Sequence, residues 1–141
     1  FEALASQAAA VYDDGDLGAA ISSGSVATVG MVVLPCTTNT LGKIAGGIAD
    51  SLITRAAHCH LKERRPLVLC VRETPWSLID IENARTVAAA GGIIMPVSPP
   101  YYMMKDTPPD SVTLTDVLTA YVDRVLAVLG HRPERDWETV S

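Results

Sequence analysis

Three short runs of the chain are apolar at nearly every position: residues 30–35 (GMVVLP), 66–71 (PLVLCV) and 93–97 (IIMPV). Continuous apolar runs of this length read as strands buried on both faces, because a half-exposed strand would alternate. Between them the apolar period lengthens. From Thr40 onward, Leu41, Ile44, Ala45 and Ile48 recur at helical spacing, and a second helix is expected over 52–62. Ser77, followed three residues later by Asp80, caps a helix that runs to about Ala90, where Gly91 and Gly92 end it. The last helix is expected over 115–129. Its Leu118, Tyr121, Val122, Val125, Leu126 and Leu129 form one stripe, and Gly130 stops it. Ahead of the first strand, residues 2–10 are Ala-rich and suit a helix end. Residues 13–16 (DDGD) mark a turn, 17–21 predict a short helix, and 22–25 (SSGS) a loop.

Apolar strands that alternate with helices specify a parallel sheet covered on both sides. The expectation is a three-layer, Rossmann-like α/β domain over residues 1–130. Residues 131–141, polar apart from Trp137, form a C-terminal arm. No internal repeat is visible. In such sheets ligands bind beyond the carboxyl ends of the strands, so the polar residues after each apolar run are the candidates.

After the first run, Pro35 and Cys36 lead into Thr37, Thr38, Asn39 and Thr40, which open a helix. Free amide groups and three hydroxyls there suit an anion or a polar heterocycle; the plain alternative is a helix cap. After the second run come Arg72 and Glu73, either a structural ion pair or a ligand-handling pair at a buried strand end. After the third come Ser98, Pro99, Pro100, Tyr101 and Tyr102, whose aromatic rings serve either packing or a ligand. Three such groups at one sheet edge say more together than any one alone. Arg55 and Lys62 are seven apart and share a helix face. With Arg64 and Arg65 they form a basic cluster that suits a phosphate or simply faces solvent.

Composition narrows the field. At 48% hydrophobic and 19% charged residues the chain is expected to be soluble and globular. A net charge of −5 argues against a general nucleic-acid or anionic-membrane binder. The count of three cysteines is odd and contains no CxxC pair, which argues against a disulfide framework and fits a reducing cytoplasm. His58, Cys59 and His60 do not read as a metal site, because residues two apart on a helix diverge and no second cluster completes a tetrahedron.

Three strings, GMVVLPCTTNTL, LITRAAHCHLKERRPLVLCVRETP and SLIDIENARTVAAAGGIIMPVSPPYY, resemble the flavin prenyltransferases of the UbiX family over residues 22–124. The LKERRPLVL…RETP string is the most specific. In the wider superfamily, FMN-dependent cysteine decarboxylases carry a PASANT motif, which residues 35–40 replace while keeping Asn39 and Thr40. They also carry a PxMN motif, where this chain has Met95, Pro96, Val97 and Ser98. That difference favours the prenyltransferase branch.

The resemblance implies an activity: joining the dimethylallyl group of dimethylallyl phosphate to N5 and C6 of reduced FMN, without a metal. The prenylated FMN then serves a UbiD-type decarboxylase. It implies FMN binding by Thr37, Thr38, Asn39, Thr40 and Arg72, proton handling by Glu73, and dimethylallyl phosphate binding by Gly24, Arg55, Lys62, Tyr102 and Arg124. It also implies a homo-oligomer, often a dodecamer, with sites completed across subunits. The alternatives are an FMN-dependent decarboxylase of the PASANT type and a non-catalytic flavin-binding subunit of a decarboxylase complex. The chain departs from the family in three ways. The family's opening strand and Gly/Ser-rich turn have no counterpart, so Phe1 is expected to fall inside the fold and FMN to be held weakly by this span alone. The interval from Tyr102 to Arg124 is longer than in the family, with a loop expected over 103–111. His58 and His60 replace residues usually acidic or apolar.

Overall fold

The structure is a computed structural model, described here for residues 2–98, 102 and 108–131. The expectations for Pro99, Pro100, Tyr101, residues 103–107 of the long loop and the arm from residue 132 with Trp137 lie outside the described residues. The elements are α1 (Glu2–Ala5), β1 (Met31–Cys36), α2 (Thr38–Ala45), α3 (Leu52–Lys62), β2 (Leu67–Val71), α4 (Leu78–Ala89), β3 (Ile93–Ile94) and α5 (Leu114–Val128), with 3-10 turns at Ala20–Ser22 and Pro109–Ser111.

The three strands form one parallel sheet in the order β1-β2-β3. All five residues of β2 are buried, as its unbroken apolar run requires of a central strand. Side chains alternate between two cores. On one face Val33, Leu67, Leu69 and Val71 pack with Leu41, Ile44, Ala57, Ala84 and Val87 from α2, α3 and α4. On the other, Val68 and Cys70 pack with Tyr121 and Val125 of α5. Helices thus cover both faces, as the alternation of elements predicts. Among the described residues no helix is long and apolar enough to cross a membrane.

Helix starts follow their side-chain caps. Ser77 and Asp80 form a reciprocal capping box at α4, and Thr113 and Asp116 form another at α5. The Ser77 hydroxyl donates to the Asp80 carboxylate at 2.6 Å and holds its pKa below the ordinary aspartate value. A depressed carboxylate pKa makes the cap effective at neutral pH and loses it as pH falls through that lowered value.

Three local expectations are corrected. The third strand is paired only over Ile93–Ile94, although the amides of Met95 and Val97 still donate to the carbonyls of Leu69 and Val71 at 2.9 and 2.8 Å. Pro96 between them has no amide hydrogen for the ladder. The helix expected over 17–21 is a 3-10 turn at Ala20–Ser22, because the carboxylates of Asp13 and Asp16 take up the amides of Gly15 and Gly18 in tight local turns. The stripe on α5 does not face one way. Tyr121 and Val125 are buried, but Leu118, Val122 and Leu126 remain 49%, 42% and 39% exposed and continue an outer apolar ridge from Leu114.

The turn from α4 into β3 depends on Gly92. A β-carbon there would lie 2.6 Å from Cγ1 of Val87 and 3.2 Å from its carbonyl oxygen. Val87 is itself core, at 1% exposure, and has nowhere to retreat. Gly92→Ala is expected to destabilise the fold by about 1–3 kcal/mol, read as a lower urea midpoint at unchanged slope.

Candidate functional site

The parallel sheet brings its chain reversals to one edge. At the carboxyl end of β2 the amide of Arg72 donates to the carbonyl of Cys36 at 3.0 Å, so Thr37 and Arg72 leave neighbouring strands side by side. The Val97 amide, bonded to the Val71 carbonyl, holds the end of the third run beside them. Between the second and third strand ends lies an open cleft of about 560 Å³ lined by Val71, Arg72, Glu73, Thr74, Pro96, Val97 and Ser98. That volume falls within the range of small-molecule sites, roughly 300–1,000 Å³.

α2 starts beside the cleft. Thr37 is its N-cap: its hydroxyl accepts from the Thr40 amide at 3.2 Å and lies 3.1 Å from the Thr40 hydroxyl. The cap reading of this motif is therefore correct for Thr37 and Thr40. It leaves the amides of Thr38 and Asn39, the first two of the helix, without an intrahelical partner, and their positive partial charge faces outward. Cys36, in the same motif, is no nucleophile. It is fully buried, and burial, with Cys70 nearby, pushes its thiol pKa up to about 11.

Arg72 and Glu73 do not form the ion pair that was the structural alternative. Among the described residues the Arg72 guanidinium has no hydrogen-bond or ion-pair partner. Glu73 accepts from the Thr74 amide at 3.1 Å through Oε1, while its own carbonyl accepts from the Trp76 indole at 2.9 Å. Trp76 thus pins the backbone while the carboxylate stays at the exposed edge. An unpaired cation beside two open amides fits an anionic or electron-rich heterocyclic ligand such as FMN.

The remaining predicted residues stand elsewhere. Gly24 and Lys62 lie by the end of α3, which leads into the amino end of β2, so the sheet separates them from Arg72. Lys62 is exposed and paired with Glu63 at 3.2 Å. Lys62, Arg64 and Arg65 line a second cleft, of about 740 Å³, with Leu61, Pro66, Ala89, Ala90, Gly91, Ile93 and Val128. The carboxyl ends of α3, α4 and α5 meet there, and helix carboxyl ends favour cations over anions, so within one chain this cleft is the poorer anion site. Arg55 lies on the same exposed face of α3 as Lys62, as the spacing predicts, and Arg124 is exposed on α5. Tyr102 is 61% exposed.

Several working residues carry no local signal. Asp14, read only as part of a turn, caps α3 from a distance: its carbonyl accepts from the Leu52 amide at 2.7 Å and its carboxylate from the Ile53 amide at 2.8 Å. In the HCH segment, His60 is buried. Its Nδ1 donates to the Ala56 carbonyl at 2.8 Å, which leaves Nε2 to accept from the Thr28 hydroxyl at 2.8 Å. Cys59 donates to the Ser22 carbonyl at 3.2 Å, and Arg65 donates to the carbonyls of Gly24 and Val26. These side chains bind the 22–28 segment to α3. Among the described residues, no group of three or more His, Cys, Asp or Glu side chains is placed to hold a metal.

Known proteins share this fold. Residues 9–126 match the Flavoprotein family. The chain is 50% identical to the flavin prenyltransferase UbiX of Deinococcus radiodurans over 70% of its own length and 51% of the relative's. It is 44% identical to that of Thermoplasma acidophilum over 92% and 68%. It therefore spans about half to two thirds of the length of these curated relatives. Among solved structures it resembles AnUbiX (PadA1) in complex with FMN and dimethylallyl pyrophosphate, with a TM-score of 0.84 and 35% identity over 96% of this chain and 72% of that one. It likewise resembles a dodecameric FMN-dependent UbiX-like decarboxylase from Escherichia coli O157:H7, at 0.86 and 38% over 96% and 71%. With a family match over residues 9–126 and this extent of identity, the chain belongs to the flavoprotein family, in its UbiX flavin prenyltransferase branch.

Proposed function

We propose that this protein transfers the dimethylallyl group of dimethylallyl phosphate to reduced FMN and delivers the prenylated flavin to a UbiD-type decarboxylase. The observation that carries the reading is Arg72, without a side-chain partner among the described residues, next to Glu73 and beside the open amides of Thr38 and Asn39 at one edge of the sheet. Reduced FMN, when bound, supplies the electron-rich N5 and C6 positions that accept the prenyl carbons. Thr37 and Thr40 hold the start of α2 in shape, while Thr38, Asn39 and Arg72 hold the flavin's polar groups. Glu73 exchanges protons with the departing phosphate and with the flavin. The donor's carbon–oxygen bond would break as its carbon bonds to N5, and its double bond would open, gaining a proton, as a second carbon bonds to C6, which loses one; cations at the donor offset the charge that builds on phosphate.

Gly24, Arg55, Lys62, Tyr102 and Arg124 are proposed as the donor-binding set. Gly24 and Lys62 stand across the sheet from Arg72, so one ligand touches both groups only where a second copy brings its amino edge to this carboxyl edge. The outer apolar ridge of Leu114, Leu118, Val122 and Leu126 on α5 supports burial against other copies. A solved neighbour is described as dodecameric. Light scattering on full-length protein is expected to report a closed oligomer, and a monomer at micromolar concentration would remove the shared site.

Incubation of full-length protein with reduced FMN and dimethylallyl phosphate is expected to raise the flavin mass by one prenyl group. Unmodified flavin with CO2 released from a cysteine-ended peptide would favour a decarboxylase, and flavin binding without turnover a carrier subunit.

Two substitutions separate the roles. Glu73→Gln keeps shape and hydrogen bonding but ends proton exchange, so it is expected to slow prenylation by about 10²-fold while FMN affinity stays within a few-fold. Arg72→Ala removes a charge-assisted contact and is expected to weaken FMN binding by about tenfold or more. Wild-type turnover by Glu73→Gln would return this carboxylate to a structural role.

A further inference from the structure

We infer that Arg65 is a positioning residue for donor binding, acting through the loop that carries Gly24. The inference rests on the reading of Gly24 as part of the dimethylallyl phosphate site. Residues 23–30 have no regular secondary structure of their own. Their shape is set by side chains of α3 and the turn after it. The Cys59 thiol donates to the Ser22 carbonyl and the Thr28 hydroxyl to His60, so both ends of the loop are fixed to α3.

Arg65 holds the middle. Its Nη2 donates to the Gly24 carbonyl and its Nη1 to the Val26 carbonyl, across 41 and 39 residues of sequence. The planar guanidinium carries two donors in a fixed fork, so it sets the distance between these carbonyls as well as their direction. With the carbonyl of Gly24 drawn onto α3, and the Ser25 and Val26 amides taken by the Ser23 hydroxyl and carbonyl, the loop is held to one course, as a donor-binding segment needs.

Two features put Arg65 where it can do this. Arg64 adopts φ 55°, and the Arg65 amide donates to the His60 carbonyl at 2.8 Å, a left-handed helix end that turns the chain sharply after α3. Glu63 packs against Gly24 so closely that a β-carbon would lie 2.8 Å from its Oε1. The loop therefore sits in contact with the α3 terminus, and a side chain at position 24 would have to displace the Glu63 carboxylate. Arg65 has no carboxylate partner among the described residues, so its charge is spent on backbone carbonyls alone.

The test compares Arg65→Ala, Arg65→Lys and Gly24→Ala in full-length protein, with Arg85→Ala on the outer face of α4 as a surface control. Two quantities are read: amide hydrogen exchange over residues 23–27 without ligands, and the steady-state constants for flavin prenylation. Arg65→Ala is expected to speed exchange in this segment at least tenfold and to raise KM for dimethylallyl phosphate at least tenfold. FMN affinity should stay within about threefold and kcat change less than KM. Arg65→Lys, which restores the charge without the fork, should recover the affinity only in part.

Unchanged exchange in Arg65→Ala overturns the inference. So does faster exchange with an unchanged KM where Gly24→Ala raises KM, and so does an equal loss of FMN and donor affinity. If neither Gly24→Ala nor Arg65→Ala alters KM in an active enzyme, the assignment of Gly24 fails and the inference with it. An inactive wild type overturns the prenyl-transfer reading itself.

Discussion

The complete burial of β2 is the constraint on which the rest depends. A strand with every residue inside must give its amides and carbonyls to a neighbour on each side, because an unmade backbone hydrogen bond in that environment has no water to replace it. β1 and β3 supply those partners in parallel. Parallel pairing then requires each connection to run back along the sheet, and these connections are α2 with α3 between β1 and β2 and α4 between β2 and β3, all packed on one face. The consequence for chemistry is direct. Every strand ends at the same edge, so the residues that follow β1 and β2 meet although they are far apart in sequence.

α3 transmits this order to the opposite edge. Its start is capped by its own Ser51–Thr54 box and by Asp14 from the segment ahead of the sheet. Its end releases a basic run exactly once it has passed the core, with Cys59 and His60 turned toward the 22–28 loop and Lys62 toward solvent. One helix thus fixes both a loop without structure of its own and the amino end of the central strand. The motif that looks most like a metal site is part of this bracing: both nitrogens of His60 are engaged, one along the helix and one across to Thr28.

Electrostatics distinguishes the two clefts. At the carboxyl edge the start of α2 presents open amides, and Arg72 adds a full charge that no carboxylate among the described residues answers. At the amino edge three helices end together, and the cations there face carbonyl groups and Glu63. The first edge is where the proposed reading puts the flavin. Under the proposed assembly, the basic residues of the second would reach a shared phosphate from another copy of the chain.

The sequence by itself determined the strands, the helices and their alternation, because continuous apolar runs and helical periodicity are local records of burial. It also marked the ligand edge: Thr37, Arg72 and Glu73 each follow an apolar run directly, and parallel topology does the rest. The resemblance named the family from the same strings. Tertiary structure alone decided which polar residues are partnered. Nothing local to Asp14, Thr28 or Arg65 reveals that each is bonded to a segment more than thirty residues away, and that Arg72 has no partner among the described residues shows only once they are placed in space. The exposed half of the α5 stripe is of the same kind. Helical periodicity shows that a face is apolar, but only the packing of the sheet decides how much of that face is covered.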